Sequence, residues 1–150
     1  MQSVVSIEAI ANSGLQGDRY SQGTGFWKAT DACQVTLISE DDLSKAKHGR
    51  RGELQHKLDH GSHRRNLVVT GIKTKELQGK TFRIGNAVFR YYKPRPPCAY
   101  LEKIEALGIS RALGKHSGIC LHVLSGGVFA VGDPLEIIHS EKTQITPAKI

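Results

Sequence analysis

The run Ile119–Ile138 reads ICLHVLSGGVFAVGDPLEII, and it decides the fold class. Its three apolar segments, Ile119–Leu124, Val128–Val131 and Pro134–Ile138, are separated by short glycine-containing turns. Closely spaced strands joined by tight turns are typical of β-barrels and β-sandwiches. The run therefore predicts a barrel or sandwich in which strands from both ends of the chain take part.

Further strands are predicted upstream of this run. Thr81–Ile84 and Ala87–Tyr92 flank Gly85-Asn86, an arrangement that predicts a two-stranded hairpin. Val4–Ile10 and Gln34–Ser39 are apolar and contain several β-branched residues, which pack well on the surface of a sheet. The chain as a whole is therefore expected to be mainly β.

Helices are predicted to be few and short. Ser39 followed by Asp42 is an N-capping pattern, and it predicts a helix that ends near Lys47. The polar, histidine-rich stretch His48–Ser62 predicts a partial helix at most. Leu101–Leu107 carries apolar residues at helical spacing and predicts one more helix.

Length and composition indicate one soluble domain. The 150 residues are 39% hydrophobic and 23% charged, which is ordinary for a globular protein with a hydrophobic core. Because the periodicity is lost after Ile138, we assign residues 1–138 to a single α+β domain and 139–150 to a loosely ordered C-terminal tail. We find neither a signal peptide nor an apolar stretch of membrane-spanning length, so a cytoplasmic protein is expected.

The three cysteines, Cys33, Cys98 and Cys120, are widely spaced and form no CxxC pair. Their spacing indicates neither a disulfide framework nor a tetrahedral zinc site. In a reducing compartment they are expected to be free thiols. Cys33 and Cys120 lie in or beside apolar runs and are expected in the core.

The segment Tyr91–Leu101, which reads YYKPRPPCAYL, combines three prolines with a cysteine. Proline fixes φ and removes a backbone donor, so the chain is expected to turn here on a stiff loop. Cys98 would lie near a helix N-terminus, with Lys93 and Arg95 upstream, and both features lower the pKa of a thiol. Cys98 is the first candidate for the chemistry of this protein, and the alternative is a buried cysteine that acts as a small hydrophobe.

A glycine-rich stretch follows the first predicted strand. It contains Gly17, Asp18 and Arg19, with further glycines on either side. Glycine lets the backbone approach a ligand, while the acid and the arginine add an acceptor and a forked donor. The stretch lacks the GxGxxG pattern of dinucleotide-binding folds. It is compatible with a ligand-binding loop or with a surface loop that holds an internal ion pair.

Arg64, Arg65 and Asn66 stand directly before the apolar strand segment Leu67-Val68-Val69. The planar fork of arginine matches phosphate or carboxylate, and asparagine can donate and accept hydrogen bonds. Strand alternation predicts that Arg64 and Asn66 share one face and that Arg65 lies on the other. An anion-binding site and an exposed basic strand edge are both compatible with this stretch.

The net charge of +7 indicates an anionic partner, which could be nucleic acid, a phosphorylated cofactor or an acidic protein. Much of the charge lies in Lys45–Arg51 and His63–Arg65. These runs lack the interleaved aromatic residues on which nucleobases stack. Nucleic acid is therefore a weak candidate, and Lys45–Arg51 is expected to form a solvated face.

Four histidines, His48, His56, His60 and His63, lie close together in the sequence. Only His56 and His60 have the i,i+4 spacing of one helix face, and no acid lies between them in an HExxH pattern. We therefore expect these histidines to be solvated loop residues and not metal ligands.

Taken in order along the chain, these motifs resemble the MOSC domain, which is named after the C-terminal domain of molybdenum cofactor sulfurase. The resemblance covers nearly the whole chain, and stand-alone bacterial MOSC proteins are the most similar members. It is carried by five stretches: Gly14–Arg19, Arg64–Asn66, Leu77–Gly85, Pro94–Leu101 and Gly127–Asp133.

The resemblance implies a β-barrel-like fold that binds the molybdenum cofactor, a molybdopterin with a phosphate or nucleotide tail. Cys98 matches the family cysteine, which ligates molybdenum in some members and has been proposed to carry sulfur in others. Arg64 and Asn66 match positions that hold the pterin or its anionic tail. Asp18 and Arg19 match the glycine-loop motif that lines the same cleft.

The resemblance and the residues together predict a reductase of N-hydroxylated compounds, with Cys98 as catalytic residue and molybdenum ligand and with electrons from a separate redox partner. An alternative from the same site is a sulfur carrier or cofactor-handling protein that takes a persulfide on Cys98 from a cysteine desulfurase. A basic nucleic-acid-binding module ranks third, and pyridoxal phosphate is not expected. The predicted cofactor-binding residues are Gly17, Asp18, Arg19, Arg64, Asn66, Lys93 and Arg95.

Overall fold

The computed structural model describes residues 4–17, 33–48, 52–61, 63–95, 105, 108–138 and 143–150, with the backbone alone at Glu53 and 143–149. The strands are β1 (Ser6–Ile10), β2 (Gly14–Leu15), β3 (Val35–Ser39), β4 (Leu67–Val69), β5 (Thr81–Ile84), β6 (Ala87–Pro94), β7 (Ile119–Ser125), β8 (Gly127–Ala130), β9 (Pro134–Ile138) and β10 (Thr143–Lys149). The helices are α1 (Glu40–Lys47), α2 (Glu53–Asp59) and α3 (Ile109–Leu113), with a short 3₁₀ helix at Thr74–Leu77.

The strands form two sheets, ordered β2-β1-β8 and β10-β9-β5-β6-β7-β3-β4. Neighbouring strands are antiparallel, except that β3 and β4 run parallel. β1 and β8 are far apart in the sequence but pair with each other, so that Ile7 lies opposite Phe129. The prediction of a mainly β, barrel-like fold with a few short helices, built from strands of both ends of the chain, is confirmed.

The main core lies between the two sheets and contains side chains from both. Phe89 packs edge-on against Phe129, with ring centroids 5.6 Å apart, and Phe82 lies 5.9 Å from Phe89. Burying one such ring contributes roughly 1.5–3 kcal/mol to stability. The β5–β6 hairpin, with Ile84 opposite Ala87, confirms the predicted turn and holds two of these rings in register.

The helices cover one end of the larger sheet through a second apolar cluster. Leu43, Leu58 and Leu113, one from each helix, are buried in this cluster. Ser39 caps α1 as predicted, because its hydroxyl accepts a hydrogen bond of 3.0 Å from the backbone N–H of Asp42. Within the described residues, no helix has both the length and the apolar character needed to cross a membrane.

Cys33 and Cys120 form a disulfide, so the prediction of free thiols at these two positions is wrong. Both residues are buried, as predicted. They are separated by 87 positions, and their Cα atoms are 5.3 Å apart because β3 pairs with β7. Cysteine spacing carries no information about such a strand pairing, and the third cysteine, Cys98, lies outside the described residues.

Three segments differ from the sequence predictions. β6 continues through Pro94, which pairs with Ile119 at the end of the strand. Proline lacks a backbone N–H, and at the last residue of the strand this removes one hydrogen-bond donor without interrupting the rest of the sheet. Residues 143–149, where we expected a loosely ordered tail, form β10 on the outer edge of β9, and Glu53–Asp59 is a complete helix within the stretch predicted to be mostly irregular.

Candidate functional site

A cleft of about 890 Å³ lies between the three-stranded sheet and the turn that connects α2 to β4. Gly17, Arg64 and Asn66 all contribute to its lining. The structure therefore brings Gly17 together with Arg64 and Asn66, two predicted cofactor-binding residues from a distant part of the chain. Asp18, Arg19 and the predicted Leu101–Leu107 helix, apart from Glu105, lie outside the described residues, as does Cys98.

Arg64 has a left-handed backbone conformation with φ of 59°. This conformation costs a non-glycine residue about 1–2 kcal/mol. It closes a turn in which the Arg64 N–H donates to the carbonyl of Gly61, and Nη1 then reaches Oε1 of Glu105 at 2.8 Å. Because Arg64 is not extended, strand alternation does not apply to it, and the prediction that placed the two arginines on different faces loses its basis.

Arg65 is almost completely buried, although it also borders the cleft. Its Nε and Nη2 donate to the backbone carbonyl and the hydroxyl of Ser117, both at 2.6 Å, and Nη1 donates to the carbonyl of His63 at 3.0 Å. A buried guanidinium is tolerated when such acceptors compensate for its lost hydration. Arg65 therefore ties the cleft wall to the start of β7.

Asn66 connects β3 to β4 through reciprocal hydrogen bonds with Thr36. Its Oδ1 accepts from the backbone N–H of Thr36 at 2.9 Å and from the hydroxyl at 3.0 Å, and its own N–H donates to that hydroxyl at 2.9 Å. The Asn66 side chain thus has a structural role, and its position on the cleft wall is held firmly by the neighbouring strand.

His63 is buried in the same turn, so the expectation that it is a solvated loop residue is wrong. Its Nδ1 accepts a hydrogen bond of 3.0 Å from the backbone N–H of Arg65. Burial, assisted by the positive charges of Arg65 and Lys47, lowers the pKa of His63 from 6.5 to about 4. His63 is therefore neutral at physiological pH and acts here as an acceptor.

The low pKa of His63 makes the stability of the protein dependent on pH. In the unfolded chain the pKa of His63 returns to about 6.5, so the unfolded state takes up the proton first as the pH falls. The free energy of unfolding should therefore decrease between about pH 6.5 and pH 4, by about 2–3 kcal/mol from this residue. His63→Asn, which keeps an acceptor near the Nδ1 position, should lack this loss in urea unfolding at pH 7 and pH 4.5.

The control for this experiment is His48→Asn, which removes an exposed histidine. It should lose stability between the two pH values as the wild type does. An equal loss in His63→Asn and in the wild type would show that His63 is not the source of the acid sensitivity.

Lys93 lies at the end of β6 and Arg95 directly after it, and neither is among the described residues that line the cleft. The backbone N–H of Arg95 donates to the carbonyl of Gly118 at 2.9 Å, and Arg95 is buried. Nζ of Lys93 lies 5.5 Å from the centre of the Tyr92 ring. Because Ser117 holds Arg65 and Gly118 holds Arg95, the strand end that precedes Cys98 and the cleft wall meet at the start of β7.

Glu105 and Ser117 are contact residues that sequence reasoning missed. Glu105 follows Cys98 by seven positions and reaches the Arg64 wall, where Lys57 also donates to its backbone carbonyl. The charges of Lys57 and Glu105 are visible in the sequence, but a separation of 48 positions gives no signal that they meet. Only the packing of α2 against this part of the chain reveals the contact.

The described residues of the cleft fit the anionic part of a phosphorylated cofactor. Among the described residues, no three His, Cys, Asp or Glu side chains lie close enough to hold a metal ion together. His56 and His60 stack on each other at 4.1 Å on the exposed side of α2. Arg64, with a quarter of its side chain exposed at the cleft, offers the donors that a phosphate needs.

The fold is similar to three crystal structures of bacterial proteins at low sequence identity. They are YiiM from Escherichia coli (20% identity, TM-score 0.68, 97% of this chain and 68% of that chain), YiiM from Geobacillus stearothermophilus (21%, 0.57, 71% and 54%) and YUAD from Bacillus subtilis (14%, 0.65, 91% and 86%). The chain thus spans about two thirds of one YiiM protein and about half of the other.

No curated protein matches the chain. The family model of the MOSC domain matches residues 27–136, which include β3 to β8 and the cleft residues Arg64 and Asn66. This match extends over most of the sequence, and the low-identity structures agree with it in fold. The chain belongs to the MOSC domain family, which is associated with the molybdenum cofactor.

Proposed function

We propose that this protein binds the molybdenum cofactor in the cleft and, with cofactor bound, reduces N-hydroxylated compounds with electrons from a separate redox partner. The observation that carries the proposal is the common cleft of Gly17, Arg64 and Asn66. Gly17 is distant from Arg64 and Asn66 in the sequence, and all three have a chemistry suited to binding an anionic ligand. A cofactor of this kind supplies two-electron redox chemistry at its metal.

Each residue of the chain would have a defined task. Arg64 would hold the anionic tail, since its guanidinium is charged and partly exposed in the cleft. Gly17, with φ of 77° and open space around it, would allow the ligand to approach the backbone. Asn66 would hold its part of the cleft lining in a fixed position through its hydrogen bonds to Thr36.

Cys98 is the proposed metal ligand, because a soft thiolate suits molybdenum. Lys93 and Arg95 precede it, and Arg95 fixes the end of β6 to Gly118. Two nearby cations would favour the thiolate form of Cys98. Asp18 and Arg19 remain proposed cleft residues on the strength of their position directly after Gly17 in the sequence.

Elemental analysis for molybdenum tests the proposal on protein expressed in a host that makes the cofactor. We expect near-stoichiometric metal in the wild type and none in Cys98→Ser, because a hydroxyl is a poor replacement for a thiolate ligand. The control is the double variant Cys33→Ala/Cys120→Ala, which removes the other two sulfur atoms and should keep its metal. The loaded proteins are then assayed for reduction of N-hydroxylated substrates.

Metal retained in Cys98→Ser would contradict the ligand role of this residue. If neither protein contains metal although a known cofactor-binding protein is loaded in the same host, sulfur transfer becomes the better reading of the site. In that case Cys98 should gain the mass of one sulfur atom after exposure to a cysteine desulfurase, and Cys98→Ser should gain none.

A further inference from the structure

Arg64, the cation that is proposed to bind the cofactor, already forms an ion pair with Glu105. Nη1 of Arg64 and Oε1 of Glu105 are 2.8 Å apart, and the two side chains are 25% and 17% exposed. A pair that is mostly buried is screened less by salt than one on the open surface. An anion that approaches Arg64 therefore meets a carboxylate of the same chain that already accepts a hydrogen bond from Nη1.

The other charges near this turn are engaged in different contacts. Asp59 pairs with Lys47 at 2.7 Å, and this hydrogen bond lowers the pKa of the Asp59 carboxyl. Arg65 is buried and donates to Ser117 and to the carbonyl of His63. Arg64 is thus the cleft arginine that combines partial exposure with a carboxylate partner.

Glu105 is held in place by more than its carboxylate. Nζ of Lys57, on α2, donates to the backbone carbonyl of Glu105. The left-handed backbone of Arg64 and its hydrogen bond to Gly61 fix the other partner. Because both backbones are anchored, loss of the ion pair would leave the carboxylate close to the subsite, where it would repel an incoming anion.

We propose that Glu105 is an internal competitor for the anion that Arg64 binds, and that a ligand enters this subsite by exchanging the Arg64–Glu105 pair for an Arg64–phosphate contact. This inference rests on the proposed function, because it takes Arg64 as the residue that holds the anionic tail. As a consequence, the subsite selects the anions that are most strongly attracted to Arg64. A phosphate group displaces the carboxylate, whereas a weakly attracted anion such as chloride does not.

Titration calorimetry with inorganic phosphate, at constant ionic strength set with sodium chloride, tests this inference on the purified chain without metal. Glu105→Gln and Glu105→Ala should bind phosphate about three- to tenfold more tightly than the wild type, the range expected when one partly exposed opposing charge is removed. The control is Glu136→Gln, which removes a carboxylate of β9 that does not line the cleft. It should bind phosphate as the wild type does.

The double variant Arg64→Gln/Glu105→Gln identifies where the phosphate binds. It should not show the tighter phosphate binding expected of Glu105→Gln, since Arg64, the residue that would bind the phosphate, is then absent. Unchanged affinity in both Glu105 variants, or a gain that persists without Arg64, would overturn the proposal. Because the readout is phosphate affinity, tighter binding in Glu105→Gln supports the inference even if molybdenum loading fails, and loaded protein with unchanged phosphate affinity supports the proposed function alone.

Discussion

Gly118→Ala should destabilise the protein by about 2–5 kcal/mol, the sum of a strained backbone and an overpacked strand end. Gly118 has φ of +90°, and a Cβ atom added there would lie 2.3 Å from the backbone carbonyl oxygen of Leu37. That carbonyl belongs to β3 and cannot move without disturbing its pairing with β7, in which Leu37 lies opposite Ile119. The clash can therefore be relieved only by shifting the strands.

The expected loss is a large part of the 5–15 kcal/mol that stabilises a typical domain. Urea unfolding followed by circular dichroism measures it. Gly79→Ala is the matched control, because Gly79 has a similar φ of +73° but no atom within 4 Å of the added Cβ. It should cost about 1 kcal/mol from backbone strain alone. Equal losses in the two variants would show that the contact with Leu37 is not the cause.

Arg65→Met should cost about 3 kcal/mol or more, because three hydrogen bonds to a charged group are lost together. The substitution leaves the carbonyls of His63 and Ser117 and the hydroxyl of Ser117 without their donor from Arg65. Methionine has a comparable length, so the loss reflects hydrogen bonding more than a cavity. Removal of a desolvated charge offsets part of the cost.

Two further variants separate charge from geometry at this position. Arg65→Lys keeps the positive charge but lacks the planar fork that reaches Ser117 twice, so it should recover only part of the stability. Arg83→Met, on the exposed face of β5, is the control for loss of an arginine and should change stability by less than about 0.5 kcal/mol. An Arg65→Met protein as stable as Arg83→Met would refute the anchoring role.

Local patterns in the sequence identify several elements correctly. The β5–β6 hairpin turns at Gly85, whose φ of +58° lies in a region that glycine adopts without strain. Ser39 caps α1 through a contact three residues away. The strands of Ile119–Ile138 follow from apolar segments and glycine turns. In each case the interacting groups are close in sequence, so that residue types and their spacing are sufficient.

Part of the candidate site could be predicted from residue types, and part of it depends on the tertiary structure. Arginine and asparagine at 64 and 66 were selectable by their chemistry, and the fold places both on the wall of the cleft that contains Gly17. Lys93 lies at the end of β6 and Arg95 directly after it, outside the described cleft lining. The buried position of Arg65 depends on Ser117, and the ion pair of Arg64 depends on Glu105, which lie 52 and 41 positions away.

The amino-acid sequence by itself determined the mainly β fold class, the hairpin, the capped helix and the residue types proposed to bind an anion, because these depend on local spacing and side-chain chemistry. Tertiary structure decided which cysteines are paired, which arginine is buried and which carboxylate opposes Arg64. Cys33 meets Cys120 only because β3 pairs with β7, and Arg64 meets Glu105 across 41 positions. Contacts between distant residues follow from strand order and packing, and local sequence patterns do not encode either one.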